Sequence, residues 1–399
     1  MVVTIKKSKA SGFITAPASK SMAHRALICG ALSAGCEIGN VEYSNDILAT
    51  LDCLLGLGAS VKRTDNKITL GNLNPFECCE TTIDCRESGS TLRFMIPLCM
   101  LCDKKITLTG SERLFARNLE IYERIAKENG ILFEMGKDNL TLCGKLKSGN
   151  YKIAGNISSQ FISGLLFALP LLDGDSTIEI VGEYESEPYV DMTIKSLNDF
   201  GINIEKIGRI YKIQGRQNYL SKDITVEGDY SNAAFLDAFN LLGGSVTVQG
   251  LDCESLQGDK IYKQIYEELK NGKKEFELSN CPDLAPVMFA MAALFGGAHF
   301  TGTKRLKIKE SDRATAMALE LNKFGIKVDV GENDVTVFKG EIKEPAEILC
   351  GHNDHRIVMA LSLLCSITGG SINGAEAVAK SYPSFFEKIQ SLGIQILKQ

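Results

Sequence analysis

Apolar positions recur along this chain in a fixed order. A helical run, apolar at three- and four-residue spacing, ends at a glycine. Two short stretches of alternating apolar and polar residues follow, with a tight turn between them. The glycines are Gly58 in LLGLGASVKRTDNKITL, Gly130 in IAKENGILFEMGKDNLTL, Gly201 in LNDFGINIEKIGRIYKI, Gly272 in ELKNGKKEFEL, Gly325 in LNKFGIKVDVGENDVTVF and Gly393 in IQSLGIQIL. Successive intervals are 72, 71, 71, 53 and 68 residues. A period of about 70 is too long for a solenoid, whose repeats run to about 50 residues. It fits a βαβαββ unit used six times. The sixth copy runs out of chain at Gln399 after its first strand, and a strand at residues 2–7 would supply the missing partner. Three units per domain then give one domain over 16–227 and another from 1–15 plus 228–399.

The helices that precede the glycines are amphipathic. Leu119, Tyr122, Ile125 and Ala126 share a face, as do Ile261, Ile265 and Leu269, and both faces read as core. Chemistry is therefore sought at the other helices. In Pro17–Leu27 (PASKSMAHRAL), Ser19 is a good N-cap, and Met22, Ala26 and Leu27 carry apolar helical spacing, so a helix begins near Lys20. Free amides at its start, with Lys20, Ser21 and Arg25, suit an anion; the plainer reading is a solvated first turn. Five further stretches resemble it. DCRESGSTLR (84–93) places Gly89 between hydroxyls before an apolar helix, where Gly89 would let a ligand approach the backbone. Ile157-Ser158-Ser159-Gln160-Phe161 puts two hydroxyls and an amide at another start. Lys309-Glu310-Ser311-Asp312-Arg313 sets Lys309 and Arg313 one helical turn apart. Asn353-Asp354-His355-Arg356 caps another helix, and Lys380-Ser381-Tyr382-Pro383 precedes the last. Singly, such starts are more often surface caps. Together, Lys20, Arg25, Arg93, Lys309, Arg313, Arg356 and Lys380 describe a cleft for several negative charges.

Composition narrows the choice. With 399 residues, 44% hydrophobic and 23% charged, the balance is that of a soluble globular protein. Net charge is −5, so nucleic acid is not an expected partner, and anions must be met by local clusters. No apolar run is long enough for a membrane span, and the first seven residues read as a strand start rather than a signal peptide. Thirteen cysteines in apolar segments, including Cys99 and Cys102, read as buried reduced thiols in a cytoplasmic protein. His24, His299, His352 and His355 lack metal-site spacing, so no metal is expected. Dinucleotide, P-loop and GxSxG patterns are absent. Two acids stand out: Asp283, which could simply cap the apolar helix it opens, and Glu310, which could be a surface ion pair.

SKSMAHR (19–25), SSQF (158–161), KESDR (309–313), NDHR (353–356) and AKSYP (379–383), in that order across nearly the whole chain, resemble the enolpyruvyl transferase family. The match is to the branch acting on shikimate 3-phosphate. The resemblance implies an α/β fold of two domains, each of three βαβαββ units with helices inside and sheets outside, an inside-out α/β barrel, with the active site in the cleft between them. It implies transfer of the enolpyruvyl group of phosphoenolpyruvate to the 5-hydroxyl of shikimate 3-phosphate, with release of phosphate, by a monomer that uses no cofactor. Lys20, Ser21, Arg25, Ser158, Ser159, Gln160, Ser186, Tyr189, Asp283 and Lys309 match its shikimate 3-phosphate site. Lys20, Gly89, Arg117, Gln160, Arg313, Arg356 and Lys380 match its phosphoenolpyruvate site. Asp283 would accept the hydroxyl proton, and Glu310 with Lys20 would supply one to carbon.

Three positions depart from the family pattern: Glu87 before Gly89, Ala116-Arg117-Asn118 around the matched arginine, and Arg305 ahead of KESDR. A carboxylate at Glu87 should weaken anion binding unless Arg86 or Arg93 neutralises it. The sister enzymes acting on UDP-N-acetylglucosamine use a loop cysteine, and SERLF (111–115) has none. A non-catalytic anion-binding relative would have Glu87 as its sole support, against the retained Asp283, Lys309, Glu310 and Arg356.

Overall fold

The computed structural model describes residues 1–65 and 67–398; Asn66, in the hairpin expected after Gly58, and Gln399, the expected chain end, lie outside them. The chain divides into two compact units, Ala18–Glu227 and Met1–Pro17 joined with Gly228–Gln399.

The Ala18–Glu227 unit carries three four-stranded sheets of one pattern. One runs Ile224–Thr225, Cys36–Gly39, Lys67–Gly71, Ser60–Arg63, and another Thr81–Asp84, Ile106–Thr109, Asn139–Cys143, Leu132–Met135. The third runs Asn150–Ala154, Ser176–Val181, Ile210–Ile213, Ile204–Ile207. In each, the first pair is parallel and the other two pairings are antiparallel. In the second and third sheets the chain order is strand, helix, strand, helix and hairpin, while in the first the leading strand, Ile224–Thr225, is supplied from the end of the unit. Burial alternates along strands such as Asn150–Ala154, so each sheet turns one face to the helices and one to solvent. The helix Ser159–Ala168 is mostly apolar and buried nearly throughout, within this unit's core.

The other unit has its own core and varies the theme. Glu275–Glu277, Ala298–Thr301, Asp334–Val337 and Val328–Val330 form one four-stranded sheet, and Leu349–Cys350, Gly370–Asn373, Val2–Ile5 and Ile396–Lys398 another. Val2–Ile5 pairs antiparallel with both Gly370–Asn373 and Ile396–Lys398, so the N-terminal strand completes the sixth unit. The fourth unit departs from expectation. Its sheet holds only Ser11–Thr15 and Ser245–Gln249, in parallel. No hairpin follows Gly272, and the strand after it, Glu275–Glu277, opens the next sheet instead. The short 53-residue interval is this missing hairpin. An unpaired strand edge invites foreign pairing, and here a side chain closes part of it. The Asn240 amide accepts Val246 N–H at 2.6 Å and donates to Val246 C=O at 2.8 Å, as a neighbouring strand would.

All six repeat glycines sit just past a helix with φ between 73° and 108°, the left-handed region that a glycine enters without strain. The helix starts are capped by side chains: Ser19 accepts from Met22 N, Ser88 from Thr91 N, Ser158 from Gln160 N, Asp312 from Thr315 N and Asp354 from Arg356 N. All thirteen cysteines are free, with Cys99 and Cys102 buried. Among the described residues, no helix is long and apolar enough to cross a membrane, and no group of three metal-ligating side chains converges.

Candidate active site

In the Ala18–Glu227 unit the helix Lys20–Leu32 sets Arg25 against the helix Glu187–Asp199. Arg25 is buried, and each of its nitrogens has a partner in the chain: Nε donates to Thr193 Oγ1 at 2.8 Å, Nη1 to Ser21 C=O at 2.6 Å and Nη2 to Tyr189 C=O at 2.8 Å. Burial pulls its pKa down to about 10, which leaves it charged at neutral pH. Thr193 also bonds Ser163 at 2.7 Å, tying in the helix Ser159–Ala168. Lys20 Nζ donates to Asp46 Oδ2 at 2.8 Å, in a pair with little solvent access.

A second group forms where two helix starts meet. Gln160 accepts from Arg93 Nη1 at 2.8 Å through its side-chain oxygen and donates to Ser90 Oγ at 2.9 Å. Both arginines crowd Gly89: a Cβ there would lie 2.5 Å from Arg117 Nη1 and 3.3 Å from Arg93 Nη1. Glycine is thus needed for space, not for its dihedrals. Ser158 and Ser159 open the same helix as Gln160, and Ser186 opens the Glu187–Asp199 helix in a left-handed conformation, φ 56°. Arg86 donates to Asp52 at 2.7 Å, an acid the sequence reading did not weigh beside Glu87. We expect Gly89→Ala to fold, because the crowding atoms are the ends of flexible side chains. It should displace Arg117 and weaken the binding of an anion at its guanidinium; an unchanged anion affinity would refute this.

In the other unit Asp283 lies in the short turn Pro282–Leu284 before the helix Ala285–Leu294. It caps no helix. Its carboxylate is instead the meeting point of three cations: Oδ1 accepts from Lys309 Nζ at 3.2 Å and Arg313 Nη1 at 2.7 Å, and Oδ2 from Arg356 Nη2 at 3.0 Å. Burial alone would raise its pKa, but Arg356, Lys309 and Arg313 together hold it well below the usual carboxylate range. Burial lowers the Lys309 amine, with Asp283 opposing. Arg313 also donates to Glu310 Oε2 at 2.7 Å and, through Nε, to Asp354 Oδ2 at 2.9 Å. Glu310 is therefore part of this network rather than a surface pair. Lys309 and Arg313 do not stand on one helix, since the helix begins only at Arg313 and Lys309 is extended. They converge through Asp283 instead. Lys380 lies in the turn Ala375–Lys380 and donates to Asn353 C=O at 2.7 Å.

Arg356 Nε and Nη1 are buried and make no hydrogen bond within the chain, although its third nitrogen holds Asp283. Arg117 Nε is in the same condition. Buried donors left over on a guanidinium are what a carboxylate or phosphate would take. Asp46, Thr193 and the clamp of Asp354 on Arg313 escaped the sequence reading. Asp354 appeared there only as a helix cap, and Asp46 shows no signal beyond an acid in a helix's first turn.

Asp259, bonded to Ser231 Oγ, is buried behind this network. Burial and the charge of Asp283 push its pKa up to about 6. An acid raised on folding binds protons better folded than unfolded, so its ionisation destabilises the protein as pH rises from about 4 to 6. Asp259→Asn should therefore raise thermal stability at pH 7.5, by on the order of 2 kcal/mol, and change little near pH 4. Equal effects at both pH values would count against it.

The family model for EPSP synthase (3-phosphoshikimate 1-carboxyvinyltransferase) matches residues 5–389. The chain belongs to the EPSP synthase family. Among curated relatives, the 3-phosphoshikimate 1-carboxyvinyltransferase of Clostridium kluyveri is 41% identical, over 99% of this chain and 98% of that protein. That of Clostridium beijerinckii is 40% identical, over 98% and 97%. Among solved structures, EPSP synthase from Acinetobacter baumannii superposes with a TM-score of 0.79 at 22% identity, each chain covered fully. The enolpyruvyl transferase NikO from Streptomyces tendae gives 0.76 at 15% identity, over 99% of this chain and 98% of its own. These two establish the fold, a two-domain α/β architecture.

Proposed function

We propose that this chain transfers the enolpyruvyl group of phosphoenolpyruvate to the 5-hydroxyl of shikimate 3-phosphate and releases phosphate, the activity for which its curated relatives are named. The observation that carries the reading is Asp283, an ionised carboxylate in contact with Lys309, Arg313 and Arg356.

Two substrates that each bear a phosphate and a carboxylate repel one another, and fixed cations offset that repulsion. Lys20, Ser21, Arg25, Ser158, Ser159, Gln160, Ser186 and Tyr189 hold shikimate 3-phosphate, with Asp283 and Lys309 at its reacting hydroxyl. Lys20, Gly89, Arg117, Gln160, Arg313, Arg356 and Lys380 hold phosphoenolpyruvate. In addition, the 5-hydroxyl oxygen bonds to C2 of phosphoenolpyruvate while Asp283 takes the hydroxyl proton. The methylene carbon gains a proton from Glu310 or Lys20. Elimination then returns a methyl proton to Glu310 or Lys20 as the C2–oxygen bond to phosphate breaks, and the proton held by Asp283 leaves with the phosphate. Each step couples a proton transfer to making or breaking a C–O bond, with no net oxidation or reduction. Thirteen free thiols suit a reducing cytoplasm.

Phosphate release tests the reading. It should require both substrates together and be absent with either alone. Release with phosphoenolpyruvate alone would mark a phosphatase, and no release with shikimate 3-phosphate still bound would mark the non-catalytic relative.

A further inference from the structure

Glu320 is a buried carboxylate that the proposed chemistry does not use. It lies on the helix Arg313–Lys323, about two turns beyond Arg313, with its side chain 2% exposed. Oε2 accepts from Cys350 N at 2.9 Å and Lys323 Nζ at 2.9 Å, and Oε1 from His352 Nε2 at 2.8 Å. Burial would raise its pKa, but His352, the Cys350 amide and Lys323 hold it below the ordinary value, so it stays a charged acceptor.

What it grips is the turn that leads into the helix His355–Thr368. His352 and Asn353 are consecutive left-handed residues, φ 49° and 53°, and neither is glycine. Asn and His enter that region more readily than other L-residues, but as single residues, and two in succession are held there by their surroundings. Three anchors impose it here. Glu320 takes Cys350 N and the His352 ring. Lys380 donates to Asn353 C=O at 2.7 Å. Asp354 accepts from Ser311 Oγ at 3.0 Å and from Arg313 Nε at 2.9 Å. One helix and the residues just before it thus hold the turn at both ends, at Asp354 through Ser311 and Arg313 and at Cys350 and His352 through Glu320. Arg356, whose guanidinium reaches Asp283, follows two residues after Asp354.

We propose that Glu320, acting through His352, is a positioning residue for phosphoenolpyruvate: it fixes the 350–354 turn and through it Asp354, Arg356 and the acceptor of Lys380. The inference rests on the proposed function. It locates a determinant of substrate affinity on the far part of a helix whose start alone bears residues assigned to the reaction.

The test uses the full chain with shikimate 3-phosphate and phosphoenolpyruvate, comparing Glu320→Ala, Glu320→Gln, His352→Ala and His352→Gln. Glu320→Ala and His352→Ala should raise KM for phosphoenolpyruvate about tenfold with kcat within about threefold, as expected when a binding group is misplaced by a fraction of an ångström. The calorimetric Kd for shikimate 3-phosphate should not move. His352→Gln restores a donor and should recover most of the loss, and Glu320→Gln part of it. The double alanine variant should be no worse than Glu320→Ala, because that substitution already removes the contact with His352. A merely structural role would instead lower the folded fraction, and hence apparent kcat, with KM unchanged. An unmoved KM in soluble Glu320→Ala, or in His352→Ala where the former does not fold, overturns the inference alone. Wild-type protein that releases no phosphate overturns the proposed function and this inference with it.

Discussion

Asp283→Asn should lower kcat for phosphate release by roughly 10²–10⁴, the usual worth of a positioned general base. Asparagine keeps the size and one acceptor oxygen but cannot take the hydroxyl proton. It also removes the one negative charge shared by Lys309, Arg313 and Arg356. Those cations then face any incoming anion more openly, so KM for phosphoenolpyruvate should hold or fall while kcat collapses. Calorimetry should still report shikimate 3-phosphate binding. Turnover above a tenth of wild type would remove Asp283 from the role of base. The same variant reads the acid limb of stability. A carboxyl near 3.9 unfolded and lower when folded contributes fully above about pH 4, and the contribution is lost as pH falls through the folded value. Wild-type protein should lose stability in that acid window more steeply than Asp283→Asn.

The second large effect is on stability. Arg313 is 1% exposed and binds Asp283, Glu310 and Asp354, of which Asp354 is fully buried. Arg313→Leu preserves bulk but strands a buried carboxylate. Breaking a buried pair from one side costs about 3–5 kcal/mol. For a unit of this size that corresponds to a fall in Tm of about 10 °C. Arg313→Lys should recover less than half, since a single ammonium cannot replace three directed nitrogens. Thermal unfolding decides the matter: a loss under about 1 kcal/mol would mean that Asp354 finds its compensation in Ser311 and the helix start alone.

Features written in short stretches of chain were open to reading. Ser19, Ser88, Ser158 and Asp354 announce helix starts because a cap acts within three residues, and the six glycines mark helix ends for a similarly local reason. The repeat followed from them, including the need for an N-terminal strand beside the last strand. The missing hairpin was visible as a 53-residue interval, but spacing does not say which strands a shortened repeat has dropped. Long-range pairings were closed to such a reading. Lys20 meets Asp46 across 26 residues and Arg313 meets Asp354 across 41, joined by packing rather than by pattern. Lys309 shows the reverse error. Its four-residue spacing from Arg313 suggested one helical face, while the chain reaches the same carboxylate from an extended residue and a helical one.

The strand Val2–Ile5 lies between Gly370–Asn373 and Ile396–Lys398, and Ser11–Thr15 pairs with Ser245–Gln249. Val2–Ile5 is therefore synthesised long before the strands it pairs with. At about 5–20 residues per second, Val2–Ile5 waits roughly 20–80 s for Ile396–Lys398. Ala18–Glu227, continuous in sequence, has all its strands within that wait. Synthesis of this protein thus passes through a stage with one finished unit preceded by the still unpaired strand Val2–Ile5. A chaperone that binds extended apolar segments would find its target there, at Val2–Ile5, and only until Ile396–Lys398 is made.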